Sequence, residues 1–446
     1  MGTIQQAIAL ITFSSVIFLL ITEWIHFTIA AFLGALILIV ANVMTMPEAI
    51  SYIGKSHGTL GLFFGVMVMV RAFEPTKVFE YLATQMVIMA KGRGDRLLLG
   101  IVAITTPICA VLPNATTVML LAPLIPPMAQ EIGVDFVPLL ILMVFVANSS
   151  GLLTIVGDPA TYIVGDAINM SFLDYLKQLS LGGAIAVGVI VLMLPILFRK
   201  IWRKKLENLE RLPHPVINHP RTLIVGAIIT AFVLVFFVIG ESLPIPVSPA
   251  TIALLGAVLA LMLAHHSKID TVKNILQDVD WSTLIFFMCI FVLIGGLEKT
   301  GVIASLSGVL AVILGKNIAL GSIVLVFFVG LISSLIPNIP LVVAMVPLLK
   351  QYVVNVGLAS PEVLSDGFSG QFPAVVLPLF YAMMYGATLG GNGTLVGASA
   401  NIVAAGVAEQ HGKRISFKVF LRYGIPVMLA QLAIAAIYIT LRFLIW

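Results

Sequence analysis

The residues best suited to handle an ion are two asparagines, each set directly after a proline inside an apolar run. Asn114 lies in Leu112-Pro-Asn-Ala-Thr-Thr-Val-Met-Leu-Leu-Ala-Pro-Leu124, and Asn338 in Ile336-Pro-Asn-Ile-Pro-Leu-Val-Val-Ala-Met-Val-Pro-Leu348. Two further breaks carry similar groups. One is Asn148-Ser149-Ser150-Gly151, continuing as Thr154-Ile-Val-Gly157-Asp158. The other is Gly390-Gly391-Asn392-Gly393, continuing as Thr394-Leu-Val-Gly397-Ala-Ser399-Ala-Asn401. Proline removes a backbone donor and kinks or ends a helix, while glycine tolerates non-helical backbone. In hydrocarbon the freed N–H and C=O groups are costly unless satisfied, so such backbone survives only against protein or a wet cavity. The four breaks, two per half, are expected to converge near the midplane of a membrane. There, helix N-termini with free amides attract anions, and exposed carbonyls and side-chain oxygens can hold Na⁺. A single Ser, Thr or Asn also serves as packing glue between membrane helices, which is the competing reading for each residue taken alone.

Ionisable groups inside apolar sequence are functional candidates by default. Asp158 is the best placed of them, four residues after Thr154 where a helix restarts. It can bind a cation, accept a proton, or cap the helix start. Glu74 and Glu298 fall where interfacial helices should begin and read as helix-terminus charges, and Glu409 reads as interfacial. The seven histidines show no metal-ligand spacing, and no nucleotide-binding loop, nucleophile elbow or zinc motif is present. The expectation is therefore no enzyme, no resident metal and no cofactor, with Na⁺ or H⁺ as a coupling ion.

The breaks recur at a fixed interval. Asn114 and Asn338 are 224 positions apart (338 − 114), and the same offset relates Pro113 to Pro337, Pro123 to Pro347, Thr59 to Thr283, Phe63 to Phe287 and Glu74 to Glu298. Beyond a polar insert at 351–371 the offset grows to 240 (394 − 154), relating Thr154 to Thr394 and Gly157 to Gly397. A constant offset over this length is an internal duplication. In an apolar chain, interrupted segments in matching places of two halves point to a transporter's binding site.

The elements that must position these residues are membrane helices. The chain has 446 residues, 60% hydrophobic and 10% charged, against about 25% charged for a soluble domain. Apolar runs of roughly 20 residues recur throughout, the length needed to cross the hydrocarbon as helix, and the short alternating segments of a membrane barrel are absent. An all-α polytopic protein of ten to twelve spans follows, with the lipid bilayer as its surroundings. Basic residues cluster in Arg199-Lys200-Ile-Trp-Arg203-Lys204-Lys205, so the mid-chain loop should be cytoplasmic, and the net charge of +4 is no nucleic-acid signal. The expected organisation is a first repeat over 1–200 with a hairpin at 112–128 and a broken helix at 136–166. A basic linker at 201–221 leads to a second repeat over 222–446, with a hairpin at 336–350 and a broken helix at 372–409. Amphipathic interfacial pieces are expected within 74–96 and near 298–316. Cys109 and Cys289 lie in apolar runs and read as buried free thiols. A bacterial inner membrane fits the short loops, with organellar or thylakoid membranes as alternatives.

Gly390-Gly-Asn-Gly-Thr-Leu-Val-Gly-Ala-Ser-Ala-Asn401, followed by Gly406-Val-Ala-Glu409, resembles the signature of the ion transporter superfamily. The branch it is most similar to is that of the melanosomal P protein, the arsenite efflux permeases and the citrate-transporter-like permeases. Asp280-Trp-Ser-Thr-Leu-Ile-Phe-Phe and Gly296-Leu-Glu-Lys-Thr-Gly301 fit the same branch. The resemblance implies two inverted repeats, a scaffold and a transport domain, a homodimer, and elevator-type alternating access. It also implies that substrate and coupling ions sit between hairpin tips and unwound helices. Carried over, this designates Asn114, Thr116, Thr117, Ser149, Ser150 and Thr154 in the first half. In the second half it designates Asn338, Gly391, Asn392, Gly393, Thr394, Ser399 and Asn401. The branch often has Asp-Asn at each hairpin tip, where this chain has Pro113-Asn114 and Pro337-Asn338. That departure leaves Asp158, with Asn114 and Asn338, as the coupling-ion candidates. It favours a small anion or a metalloid hydroxide such as arsenite as the substrate, over a Na⁺/H⁺ antiporter working through Asp158. From another class, a channel or the membrane subunit of an ATP-driven pump is the alternative.

Overall fold

The computed structural model describes residues 3–22, 24–206, 217–365 and 368–445. The basic linker expected at 201–221 therefore falls partly outside the described residues. All regular elements among the described residues are helical, apart from one isolated bridge between Arg93 and Lys205. The first half runs α1 (Thr3–Thr22), α2 (Phe27–Val40), α3 (Met46–Lys55), α4 (His57–Phe73), α5 (Val78–Met89) and α6 (Gly94–Cys109). It continues with α7 (Asn114–Leu121), α8 (Ile125–Glu131), α9 (Phe136–Ser150), α10 (Pro159–Ala167), α11 (Phe172–Gln178), α12 (Ser180–Leu197) and α13 (Arg199–Trp202). The second half runs α14 (Pro220–Ile239), α15 (Pro249–His266), α16 (Val272–Gln277), α17 (Trp281–Lys299), α18 (Val302–Leu314) and α19 (Ile318–Ser333). It closes with α20 (Asn338–Asn355), α21 (Leu377–Gly390), α22 (Ser399–Gln410) and α23 (Phe417–Ile439).

Nine helices among the described residues are long and apolar enough to cross a membrane, or ten if the bent pair α18–α19 counts as one span. The expected ten to twelve spans meet this only at their lower limit. One reason is α2, which is apolar but too short for a full span. Its 14 residues cover about 21 Å at 1.5 Å per residue, short of the roughly 30 Å of hydrocarbon. Both α1 and α14 expose large apolar side chains, among them Ile4, Ile11, Ile224 and Ile228. A protein in water would hide them, but lipid tails are as apolar as these side chains.

The two halves share an order of elements: two apolar helices, a short helix, a long helix, a helix of 12 or 13 residues, a helix–turn–helix, a broken helix and a last span, with α11 and α13 present in the first half alone among the described residues. The turns differ in detail from the sequence expectation. The ranges 112–128 and 336–350 hold the turn and the second arm only; the first arms are α6 and α19. Pro113 and Pro337 occupy the N-cap positions of α7 and α20. No backbone donor is required there, so proline marks the apex of each hairpin rather than its start.

Contacts at the chain ends of these elements sort them into two ends of the molecule. At one, the Gly94 amide donates to Lys204 O (3.0 Å) and Lys413 Nζ pairs with Asp135 Oδ1 (2.9 Å). This gathers the starts of α6 and α9 and the ends of α13 and α22. At the other, Asn169, just past α10, donates to Phe368 O and Gly370 O (2.9 Å each), so part of the polar insert lies against the end of the first broken helix. Lys299 at the end of α17 there pairs with Glu48 (2.6 Å), which also closes a capping box with Thr45 at the start of α3. Cys109 and Cys289 are free and buried.

Candidate functional site

The site is built where α9 and α21 stop in mid-protein. After Ser150 the chain makes a 3-10 turn at Gly151–Leu153 and resumes at Pro159. After Gly390 it resumes at Ser399. Glycine is required at both breaks by close backbone approach. A Cβ on Gly157 would lie 2.6 Å from Cys109 O and 2.9 Å from Gly151 O; on Gly397 it would lie 2.8 Å from Gly391 O and 3.1 Å from Ser333 O. Cys109 and Ser333 are the last residues of the hairpins' first arms, so each break presses on its own hairpin tip. Hydrogen bonds repeat the pattern. Thr154 Oγ1 donates to Ala110 O (2.5 Å), and Thr394 Oγ1 donates to Ser334 O. Thr154 and Thr394 therefore tie break to tip in each half, satisfying carbonyls that the turns set free.

Asp158 sits at the centre, fully buried. It caps α10 through the Thr161 amide (3.2 Å to Oδ2), so the helix-cap reading of the sequence holds. The cap is only part of its role. Oδ1 accepts from Asn114 Nδ2 (3.1 Å) at the first hairpin tip and from Asn338 Nδ2 (3.3 Å) at the second. Oδ2 accepts from Thr388 Oγ1 (3.0 Å), in the last turn of α21, and from Thr161 Oγ1 (3.3 Å). One carboxylate thus joins both tips and both broken helices. The position matched by the 240 offset is Ala398, which makes no side-chain cap for α22. Charge is present at one pole of the duplicated site only.

The other pole is made of amides. Asn148 Oδ1 accepts from Asn114 (3.1 Å), and Asn148 Nδ2 donates to Asn392 Oδ1 (3.0 Å) and Asn401 Oδ1 (3.1 Å). Asn401 Nδ2 donates to the carbonyls of Gly391 (2.8 Å) and Thr394 (2.9 Å), which holds the unwound segment in shape. Asn392 Nδ2 donates to Ser149 Oγ (3.1 Å) and to Gln431 Oε1 (2.8 Å). Gln431 Nε2 completes the set with Ser149 Oγ (2.8 Å) and Ala186 O (2.9 Å). Every one of these side chains is fully buried except the tip asparagines, which are nearly so.

Of the residues singled out in the sequence, Asn114, Asn338 and Asp158 meet directly, and Ser149, Asn392, Asn401 and the Gly391 carbonyl join through Asn148. Thr154 and Thr394 brace the breaks. Ser150 bonds Thr106 (3.2 Å), and Gly393 packs against Met428 and Ser334. Thr116 lines a small separate cavity beside Arg71 and Asp280. The Thr117 hydroxyl is buried with no hydrogen-bond partner among the described residues. Ser399 is exposed on the first turn of α22, away from the Asp158 network, because its side chain leaves the helix on the far side from Asn401. Asn148, Thr161, Thr388 and Gln431 were not among the designated residues. Asn148 and Thr388 correspond under the 240 offset, and that match was the available signal. Gln431 corresponds to Val191, so the repeat carries no trace of it. Among the described residues no group of three or more His, Cys, Asp or Glu side chains could hold a metal ion.

Known proteins share this architecture. A Synechocystis transporter is 71% identical over 427 residues, covering 96% of this chain and 95% of its own. The human P protein is 28% identical over 520 residues, and the chain spans 60% of its length. The crystal structure of the YdaH transporter of Alcanivorax borkumensis, described as having an unusual topology, aligns at a TM-score of 0.59 with 11% identity, over 88% of this chain and 87% of that one. At that identity the likeness concerns the fold alone. The match of residues 17–365 to the CitMHS citrate transporter family establishes that this chain belongs to that family, as a multi-pass integral membrane transporter.

Proposed function

We propose that the chain is a secondary active transporter of a small oxyanion or metalloid hydroxide, coupled to Na⁺ or H⁺ at Asp158. The observation that carries this reading is the junction of both hairpin tips and both broken helices on one buried carboxylate. An anion entering among these groups meets a carboxylate in a medium of low dielectric, where like charges a few ångströms apart repel strongly. Neutralising Asp158 first, with Na⁺ or a proton, removes that conflict and makes anion and cation binding mutually dependent. Citrate, the substrate in the family's description, carries several negative charges, and no Lys or Arg among the described residues bonds to this network; a monoanion or neutral hydroxide suits it better. Substrate would lie between Asn114, Asn338 and the amide pole. The opposite ends at which α6–α8 and α19–α20 open support two inverted repeats. The hairpins and broken helices would then move as a transport domain against a scaffold, in an elevator-type cycle within a homodimer. A Na⁺/H⁺ antiporter is the second reading, favoured by Asp158 being the only carboxylate in the network.

The test is transport in sealed proteoliposomes without ATP. Uptake of one anion driven by an imposed Na⁺ or pH gradient, and lost in Asp158→Asn, is the expected result. Na⁺/H⁺ exchange with no anion requirement would establish the second reading. Gradient-driven anion uptake at wild-type rate in a folded Asp158→Asn variant would sink the coupling role.

A further inference from the structure

We infer that the protein holds one anionic phospholipid, with an acyl chain lodged between α4, α14 and the first hairpin and the headgroup at Lys77 and Arg221. A crevice of about 440 Å³ runs between these elements. Its walls come from Val66 to Phe73 of α4, Val78 and Phe79 of α5, Pro107 to Leu112 at the hairpin tip, and Leu223 to Phe237 of α14. From Leu223 to Phe237 the helix advances roughly 21 Å, enough to take a chain that fills one leaflet of a hydrocarbon core about 30 Å thick. The lining is apolar except for Thr230, whose hydroxyl is already bonded to Gly226 O (3.0 Å). Its open side lies at Ala227 and Ala231, on a helix whose outward residues Ile224, Ile228 and Val235 are exposed and apolar. The space therefore opens onto hydrocarbon.

Two basic residues stand in the chain beside lining segments of the crevice, and their long side chains can reach round to its mouth. Lys77 precedes Val78 and Arg221 precedes Leu223 by two residues; both are exposed and neither forms an ion pair among the described residues. The bond from the Asn218 amide to Thr76 O (3.0 Å) brings their two segments together. The N-cap of α14, His219, gives no side-chain cap; Pro220 has no N–H, so the amides of Arg221 and Thr222 are the ones that add to the attraction for a phosphate. The acidic residues flanking Lys77 in the chain are Glu74, which is paired with Arg71, and Glu80, three residues on in α5. The chain's far end would rest on Pro107 and Leu112, next to Asn114, so the lipid would bear on the tip that contacts Asp158.

The experiment compares thermal unfolding of the detergent-purified full chain with added phosphatidylglycerol, phosphatidylcholine or neither, for wild type, Ala227→Trp and the double variant Lys77→Gln/Arg221→Gln. A lipid that binds the folded state raises the apparent Tm. A rise of several degrees with phosphatidylglycerol, lost in both variants, is expected. Native mass spectrometry should show one retained phosphatidylglycerol per chain in the wild type and none in Ala227→Trp. An equal shift with phosphatidylcholine would overturn the headgroup assignment. An undiminished shift in a folded Ala227→Trp variant, or no shift in the wild type, would overturn the crevice. If Ala227→Trp instead dissociates a dimer by light scattering with lipid content unchanged, a second copy of the chain is the occupant and the lipid proposal fails.

Discussion

The two tip asparagines occupy matched positions yet differ in what depends on them. Asn338 gives one hydrogen bond, 3.3 Å long, to an oxygen that also has another donor. Asn114 bonds both Asp158 Oδ1 and Asn148 Oδ1, and the latter has no other donor among the described hydrogen bonds. Leaving a buried acceptor unsatisfied costs about 1–3 kcal/mol, whereas losing one of several bonds costs nearer 1 kcal/mol. Asn114→Ala should therefore lower stability more than Asn338→Ala, while both abolish transport. Chemical unfolding in detergent measures the order; equal losses would mean that Asn148 finds another donor. Sequence alone identified these asparagines because proline, asparagine and offset coincided. Thr388 has only its offset match to Asn148, and Gln431 has none, since one Thr or Gln in an apolar helix reads as packing until its partners are seen. Ser399 differs from both: its place in the signature block suggested the site, and in α22 its side chain is exposed.

Short contacts between each break and its hairpin tip set what the elements tolerate. Adding a methyl group at Gly157 or Gly397 drives it into backbone carbonyls that cannot step aside, and overpacking of this kind costs about 1–3 kcal/mol. Gly406 in α22 has open space around its Cα, and alanine there should be neutral or stabilising by up to about 1 kcal/mol. Transport and thermal stability should thus fall in Gly157→Ala and Gly397→Ala and hold in Gly406→Ala; a harmless Gly157→Ala would show that the tip is not pressed against the break. At the membrane surface, the Lys299 ammonium and then the Thr45 groups hold the Glu48 carboxyl down at about 2, from 4.5. A lowered carboxyl contributes stability that is complete above its unfolded value and disappears as the pH falls through the folded one. The contact joining α3 to α17 should weaken between about pH 4.5 and pH 2, and Glu48→Gln should flatten the fall of Tm over that window. An unchanged profile would show that the pair contributes nothing. The order of elements was readable because spans, breaks and prolines leave strong marks. The turns at Pro113 and Pro337 are legible in the sequence, whereas α6 and α19 read there as ordinary apolar runs.

Over the whole molecule, the duplication yields two hairpins and two broken helices of matching construction, but among the described residues a single buried carboxylate where they meet. Substituting Asp158 by its repeat mate, Ala398, would make the site near-symmetric and neutral. The asymmetry has a thermodynamic consequence if Asp158 couples two ligands. A cation that neutralises it raises the affinity for the anion, and the anion must raise the affinity for the cation by the same factor. Each ligand that binds only the folded protein raises its apparent stability by mass action. A thermal-shift panel in Na⁺ or K⁺, across pH, with arsenite, phosphate, sulfate and citrate should therefore show non-additivity. The shift from the true substrate together with Na⁺, or at low pH, should exceed the separate shifts added together. In Asp158→Asn the excess should vanish, because the neutral amide no longer needs the cation. An anion shift that is the same with and without Na⁺ and at every pH would show that the anion does not feel Asp158. A shift with Na⁺ or pH alone, indifferent to every anion, would move the function to cation exchange, with the same carboxylate at its centre.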